Sequence, residues 1–157
     1  MLVKSIVYNG DFTIQTREIL PVKKNYLIVK PMYVYIGVLE KTLVSSYEVN
    51  VENRVPGGSG VVRIIEEPSG EYGELSGKIA IVSHIGKYGL LGLDHDGLMS
   101  NLTTLHPSYI YSIVNDSKPQ YSVYPHIAYV LNIGFEINGS TLIVGCNLPE
   151  ITLSIFL

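Results

Sequence analysis

The chain has 157 residues, a net charge of −3 and a pI near 5.8. Its Lys and Arg residues are scattered, so no basic patch is available to bind a phosphate backbone, and nucleic acid is excluded as a partner. No apolar run approaches the roughly 20 residues that a membrane-spanning helix needs. The amino terminus lacks the apolar segment of a secretory signal peptide, so we expect a cytoplasmic protein without membrane contact.

The composition predicts a mainly β protein. Ile, Val and Tyr together supply 47 residues and Ala only two, a balance that is typical of pleated, half-buried surfaces. Frequent turn residues separate short apolar segments, and Asn9-Gly10-Asp11 is predicted to be a hairpin loop. Many short strands of this kind favour a barrel or sandwich. The predicted strands are residues 2–8, 12–19, 26–35, 60–66, 78–83, 97–105 and 109–113.

The pattern changes in the last quarter of the chain. Apolar residues at helical spacing predict a helix over residues 122–131, with Pro125 tolerated in its first turn. Residues 139–145 then form a continuous apolar run after a turn, which is typical of a buried parallel strand. We therefore predict one domain over residues 1–139 and the start of a second unit at 140–157.

Four segments carry a resemblance to a known family. Residues 54–62 look like a Pro-Gly-His-Glu stretch that leads into a Gly-x-Val strand, and residues 77–82 look like a Gly-Asp-x-Val strand. Residues 96–101 are similar to an Asp-Gly-x-x-Ala-Glu segment, and residues 139–147 match the start of a dinucleotide domain. In this order the segments resemble the medium-chain, zinc-alcohol-dehydrogenase-like family. The resemblance implies a GroES-like, partly open β-barrel with a short helix and the first strand of a Rossmann-like unit.

The resemblance also shows which zinc ligands this chain lacks. Residues 37–42 match the family's Gly-x-Cys-x-Ser/Thr-Asp segment, so Leu39 stands at the thiolate position, Lys41 at the hydroxyl position and Thr42 at the carboxylate position. Gly58 stands where the family has its histidine. Since neither Leu39 nor Gly58 offers a donor, we expect no catalytic zinc.

Other metal sites are limited by the cysteine count. The single cysteine, Cys146, excludes a disulfide framework and any multi-thiolate site, and we expect it to be a small buried hydrophobe. A non-thiolate site that combines His84 and His95 with Asp94 or Asp96 stays open as an alternative, although its spacing matches no known metal motif.

The dinucleotide fingerprint is degenerate as well. The three glycine positions of the family's Gly-x-Gly-x-x-Gly turn hold Gly145, Asn147 and Glu150, and Glu150 would bring negative charge towards a pyrophosphate. The printed sequence ends at Leu157, before the acidic ribose-binding residue that the family has roughly 20 residues further on. We therefore expect no NAD(P) cofactor.

Three functions remain for such a chain. The first is a non-catalytic or truncated relative of the dehydrogenases that acts as a binding or interaction module, with a small molecule as its ligand. The second is the catalytic-domain part of a metal-free NAD(P)-dependent oxidoreductase for a small alcohol or carbonyl substrate, with a separate subunit supplying the cofactor domain. Lys41, Thr42 and Ser59 are its nominated residues. The third, a co-chaperonin-like assembly role, rests on fold analogy alone.

The carboxyl-terminal segment leads to a prediction about assembly. Residues 140–157 are dense in β-branched and apolar side chains, and a lone strand of this kind is rarely left exposed. The segment is therefore expected either to fold back on the barrel or to pair with its equivalent in a second chain, and of the two we predict a homodimer joined through residues 140–157.

Overall fold

The computed structural model describes residues 1–18, 25–37, 40–41 and 53–132. These residues form nine strands, three short 3-10 helices and one α-helix, α1, at Tyr124–Asn132. The strands are β1 (Leu2–Tyr8), β2 (Phe12–Glu18), β3 (Leu27–Tyr35), β4 (Ser59–Glu66), β5 (Ile79–Val82), β6 (Ile85–Gly86), β7 (Gly89–Leu90), β8 (Thr103–Leu105) and β9 (Ile110–Val114). The prediction of a mainly β protein is therefore confirmed.

The first two strands form an antiparallel hairpin with Ile6 opposite Ile14. Gly10 in its turn has a φ of 81°, a left-handed conformation that glycine adopts without steric cost. In β1, side chains alternate between the interior and the surface, which buries Val3 and Val7. Both the strand bounds of β1 and the hairpin loop agree with the prediction.

Backbone hydrogen bonds and one ion pair attach this hairpin to the rest of the protein. The Ile6 N–H donates to the Met99 carbonyl at 2.8 Å. Arg17 forms an ion pair with Asp96 at 3.2 Å, and Asp96 also accepts the Val55 N–H. The hairpin is thus fixed to the segments that precede β4 and β8.

The remaining core is a five-stranded antiparallel sheet with the strand order β8-β3-β4-β5-β9. Five of the eight residues of β4 and all four residues of β5 are buried. Burial on both faces removes more apolar surface from water than the one-sided burial of an edge strand, so these strands anchor the fold. The buried cluster comprises Leu27, Val29, Val62, Ile64, Ala80, Val82, Leu91, Leu98, Leu105 and Tyr109.

Two regions differ from the predicted strands. The strand predicted over residues 97–105 is confined to β8, because residues 97–99 bond instead to the irregular segment 55–57. An added Cβ at Gly97 would lie 2.5 Å from the Pro56 carbonyl oxygen, so only glycine permits this close approach. The two-residue strands β6 and β7 form a small hairpin within a stretch that the sequence pattern leaves as a loop.

A 3-10 helix at Pro119–Val123 leads directly into α1. Pro125 lies in the first turn of α1, where its missing N–H leaves no intrahelical bond unmade. The predicted helix is therefore confirmed with a shift of one or two residues. The predicted boundary at residue 139, Cys146 and the unit at 140–157 lie outside the described residues.

Candidate functional site

Five polar side chains from distant parts of the chain meet beside the sheet. Tyr35 ends β3, Glu40 follows it in a helical turn, and Ser59 begins β4. His84 follows β5, and His126 lies in the first turn of α1. We call this group the imidazole cluster. Its members are separated by up to 91 residues in sequence, so only the fold brings them together.

Within the described residues, the carboxylate of Glu40 accepts its hydrogen bonds from backbone donors. Its side chain is buried, with 5% exposed, and one carboxylate oxygen accepts the N–H of Gly37 at 2.8 Å. The other oxygen accepts the N–H groups of Gly57 at 3.2 Å and Gly58 at 3.0 Å. A carboxylate is acceptor-only and suits a pocket that presents three donors. Glu40 thereby joins the turn after β3 to the entry of β4.

The backbone at Gly57 makes this contact geometrically feasible. Gly57 has a φ of 98°, which other residues rarely adopt, and a Cβ there would lie 2.8 Å from a Val34 methyl carbon. Successive N–H groups that turn towards one anion form a small anion-binding nest. Here the occupant of the nest is a side chain of the same chain.

Ser59 has its hydroxyl engaged on both sides. The side chain is 1% exposed, and its Oγ lies 3.1 Å from the Ser122 carbonyl oxygen and 2.8 Å from Nε2 of His126. A carbonyl oxygen can only accept, so both contacts are satisfied together when Ser59 donates to Ser122 and His126 donates to Ser59. This arrangement assigns the proton of neutral His126 to Nε2. It also leaves the Ser59 hydroxyl no free proton for a substrate.

The two histidines of the cluster stack face to face. Their ring centroids are 4.3 Å apart and their planes differ by 1°. The Tyr35 ring packs against His126 at 4.8 Å. The Nδ1 atom of His84 is buried and has no hydrogen-bond partner among the described residues.

The surroundings keep these rings uncharged near neutral pH. Burial, with a smaller contribution from repulsion by His84, lowers the pKa of His126 to about 4 against the attraction of Glu40. Burial also lowers the pKa of His84, again against the attraction of Glu40. The pKa of Tyr35 is raised, mainly by burial and secondarily by the charge of Glu40. The cluster therefore combines one buried carboxylate with neutral imidazoles and a neutral phenol.

Comparison with known proteins adds the fold relationship. No family model matches the sequence, and no curated protein matches it. The structure is similar to 2R,3R-butanediol dehydrogenase from Bacillus subtilis, with a TM-score of 0.69 and 16% identity over 82% of this chain and 46% of that chain. It is also similar to a cobalt- and zinc-bound thermostable alcohol dehydrogenase from Pyrobaculum aerophilum (TM-score 0.67, 10% identity, 80% and 44% covered). A quinone oxidoreductase from Coxiella burnetii matches with a TM-score of 0.66 and 17% identity over 85% and 45%.

The chain has the fold of the alcohol dehydrogenase catalytic domain. The GroES-like architecture expected from the sequence resemblance agrees with this fold. The chain spans less than half the length of these structures, with 46%, 44% and 45% of them covered. Identities this low establish a shared fold and leave the activity open.

The described side chains do not fit the zinc of such dehydrogenases. An ion bound to an imidazole lies close to that ring's plane, and the parallel planes of His84 and His126 share no point at which one ion could bind both. Glu40 already accepts three N–H groups, and Gly58 has no side chain. No group of three metal-binding side chains occurs within residues 1–18, 25–37, 40–41 and 53–132.

Within the same part of the chain, the residues of the alternative metal site around His84 and His95 have other partners and do not form a metal-binding group. His84 stacks on His126, whereas Nε2 of His95 donates to the Tyr88 carbonyl at 2.6 Å. Asp94 accepts the Leu90 N–H at 2.7 Å. Asp96 forms the ion pair with Arg17 that attaches the β1–β2 hairpin.

Of the residues nominated from the sequence, Ser59 belongs to the cluster. Lys41 is exposed and adjoins Glu40, and its N–H donates to the Gly37 carbonyl at 3.1 Å. Leu39, Thr42 and the fingerprint positions Gly145, Asn147 and Glu150 lie outside the described residues.

The sequence patterns do not identify Tyr35, Glu40 or His126 as site residues, and they name His84 only as a ligand of the alternative metal site. Glu40 lies within residues 37–42, which resemble the family's zinc segment. That resemblance concerns metal ligands and carries no information about a side chain that accepts backbone N–H groups. His126 gave a usable signal, since an imidazole in the first turn of an apolar helix must find a polar partner when that face is buried. Its pairing with Ser59, 67 residues away, has no sequence signature.

Proposed function

We propose that this chain is a non-catalytic relative of the medium-chain dehydrogenases that acts as a binding or interaction module. The observation that carries the proposal is the internal use of the imidazole cluster. The Glu40 carboxylate accepts three backbone N–H groups, and the Ser59 hydroxyl hydrogen bonds to the Ser122 carbonyl and to His126. Groups engaged in this way hold β4, α1 and the turn after β3 together instead of facing a substrate.

The proposed function includes neither zinc binding nor dinucleotide binding. The parallel imidazoles argue against zinc. The residues at the fingerprint positions, Asn147 and Glu150, argue from sequence against NAD(P). Without a bound nicotinamide the chain has no hydride carrier of the NAD(P) type, so binding is the activity that we propose.

For the module's partner we propose a second copy of the chain. The support is the apolar, β-branched character of residues 140–157, which would be costly to expose. No helix in the described part of the chain is long and apolar enough to cross a membrane. A cytoplasmic location of the homodimer is part of the same proposal.

The experiment combines a metal analysis and a cofactor titration on the purified full chain. Elemental analysis after dialysis against zinc should find well below one zinc per chain, and NADPH should give no saturable calorimetric signal up to millimolar concentration. One zinc per chain that resists dialysis, or a micromolar dissociation constant for NADPH, would contradict the proposal. His126→Gln serves as a matched variant. If the cluster held zinc, this variant would bind less zinc than the parent chain.

A second candidate is the metal-free oxidoreductase with a separate cofactor subunit. One observation favours it: the buried Nδ1 of His84 has no partner among the described residues and could hydrogen bond to a carbonyl group if the cluster opened. The likeness to a quinone oxidoreductase is compatible with it at the level of fold. Lys41, Thr42 and Ser59 remain its nominated residues.

Native mass spectrometry separates the two candidates. The interaction module predicts a homodimer of the 17.3 kDa chain, which should shift to monomer when residues 140–157 are deleted. The oxidoreductase predicts a complex with a second, larger polypeptide that carries NAD(P). A monomer at tens of micromolar would refute the dimer.

A further inference from the structure

We propose that the stacked pair His84 and His126 is an acid-sensitive latch, which holds α1 against the sheet at neutral pH and releases it on protonation. The inference concerns regulation of the fold and is independent of whether the chain is catalytic.

The geometry concentrates the polar attachment of α1 on one side chain. His126 donates to Ser59 at the start of β4 and stacks on His84 after β5. The first turn of α1 contains no acidic residue and its last turn no basic residue. No ion pair joins α1 to the sheet within the described residues. Among the described contacts, loss of those of His126 would leave the helix held by apolar packing and by the Ser59 bond to the Ser122 carbonyl just before it.

Protonation disrupts this arrangement in two ways. A second N–H appears on each ring, and an imidazolium in this half-buried position has given up part of the water that would solvate it. If both rings take up a proton, two positive charges face each other at 4.3 Å. The stack is therefore compatible with neutral rings and incompatible with a doubly charged pair.

The neighbouring groups do not neutralise the charge. Glu40, from the turn after β3, is the acidic group that faces both rings, and Tyr35 packs on His126 from the end of β3. Glu40 attracts the protonated rings through space, but its oxygens are held by backbone N–H groups. The lowered pKa values of both histidines agree with burial outweighing this attraction.

Proton linkage gives the direction and size of the effect. In the released state the histidines regain an ordinary pKa near 6.5, whereas the pKa of His126 in the latched state is about 4. The released state thus binds more protons, and its population rises as the pH falls below about 6.5. From His126 alone, lowering the pH from 7.5 to 5 multiplies the opening constant by up to about 30-fold. Solvent screening of a half-buried ring reduces this to roughly tenfold.

Hydrogen exchange measured by mass spectrometry on the full chain tests the latch. After correction for the intrinsic exchange rate, amides of α1 should lose about tenfold of their protection between pH 7.5 and pH 5. The β1–β2 hairpin should keep its protection and serves as the internal reference. Equal protection of α1 at both pH values would overturn the proposal.

Three variants identify the titrating groups. His126→Gln keeps a donor for Ser59 but cannot be protonated, so α1 should lose no more than about twofold of its protection. His84→Phe keeps a planar ring without a charge and should give an intermediate loss. His95→Gln removes an exposed histidine outside the latch and should behave as the parent chain does.

The comparison among variants decides the outcome even if one fails to fold. Should His126→Gln be unfolded at pH 7.5, a smaller loss in His84→Phe than in His95→Gln supports the latch. Equal losses in all folded variants would show that another group controls α1 and would refute the proposal.

Discussion

Replacing Glu40 by glutamine changes one oxygen of a buried carboxylate into an amide nitrogen. The remaining oxygen can still accept the N–H groups of Gly57 and Gly58, but the amide donor then faces the N–H of Gly37. One hydrogen bond to a charged group is lost, worth about 1.5–3 kcal/mol, and one backbone donor is left unsatisfied. The glutamine side chain also avoids the cost of burying a charge, which offsets part of that loss.

The expected net effect of Glu40→Gln is a loss of about 2–4 kcal/mol in the free energy of unfolding. For a chain of this size that corresponds to a fall of roughly 5–15 °C in Tm. Urea titration followed by far-ultraviolet circular dichroism suits a chain without Trp. Glu66→Gln is the matched control, because Glu66 is exposed in β4 and should change stability by less than about 0.5 kcal/mol. Equal stabilities of the two variants would refute the assignment of Glu40 as a structural acceptor.

Three further predictions concern other contacts. Gly97→Ala places a methyl group 2.5 Å from the Pro56 carbonyl oxygen, so urea titration should show a loss of about 1–3 kcal/mol; unchanged stability would contradict the close approach. Asp96→Asn removes the partly exposed ion pair with Arg17. In the same assay the free energy of unfolding should fall by no more than about 1 kcal/mol. A fall above about 2 kcal/mol would mean that the pair contributes more than its exposure suggests. Because the pKa of His126 is lowered to about 4 in the folded protein, the free energy of unfolding should fall by about 1–2 kcal/mol as the pH drops from 7 to 4.5; a His126→Gln variant with the same pH slope would argue against this assignment.

Much of the fold follows from local patterns in the sequence. The bounds of β1 and the glycine turn after it were predictable, because alternation and turn chemistry act over a few residues. The strand predicted from residue 97 was too long, because Gly97 and its neighbours bond to residues 55–57 through a close backbone approach. Periodicity carries no information about such a contact. The β6–β7 hairpin was missed because two-residue strands are too short to show alternation.

The candidate site was less predictable than the fold. Ser59 was selected because it stands beside the position where the family has a metal ligand, and the structure does include it in the cluster. The other members depend on long-range contacts, such as the stacking of His84 on His126 across 42 residues of sequence. The sequence resemblance predicts which metal donors are missing, whereas the interactions of the cluster are visible only in three dimensions.

The most direct test of the central claim, that this chain is non-catalytic, is a steady-state assay of NADPH oxidation with 1,4-benzoquinone as acceptor. The full chain should give the rate of the protein-free blank at every acceptor concentration, and Ser59→Ala should give the same rate. A saturable rate above the blank that disappears in Ser59→Ala would show that the cluster takes part in chemistry and would contradict the claim.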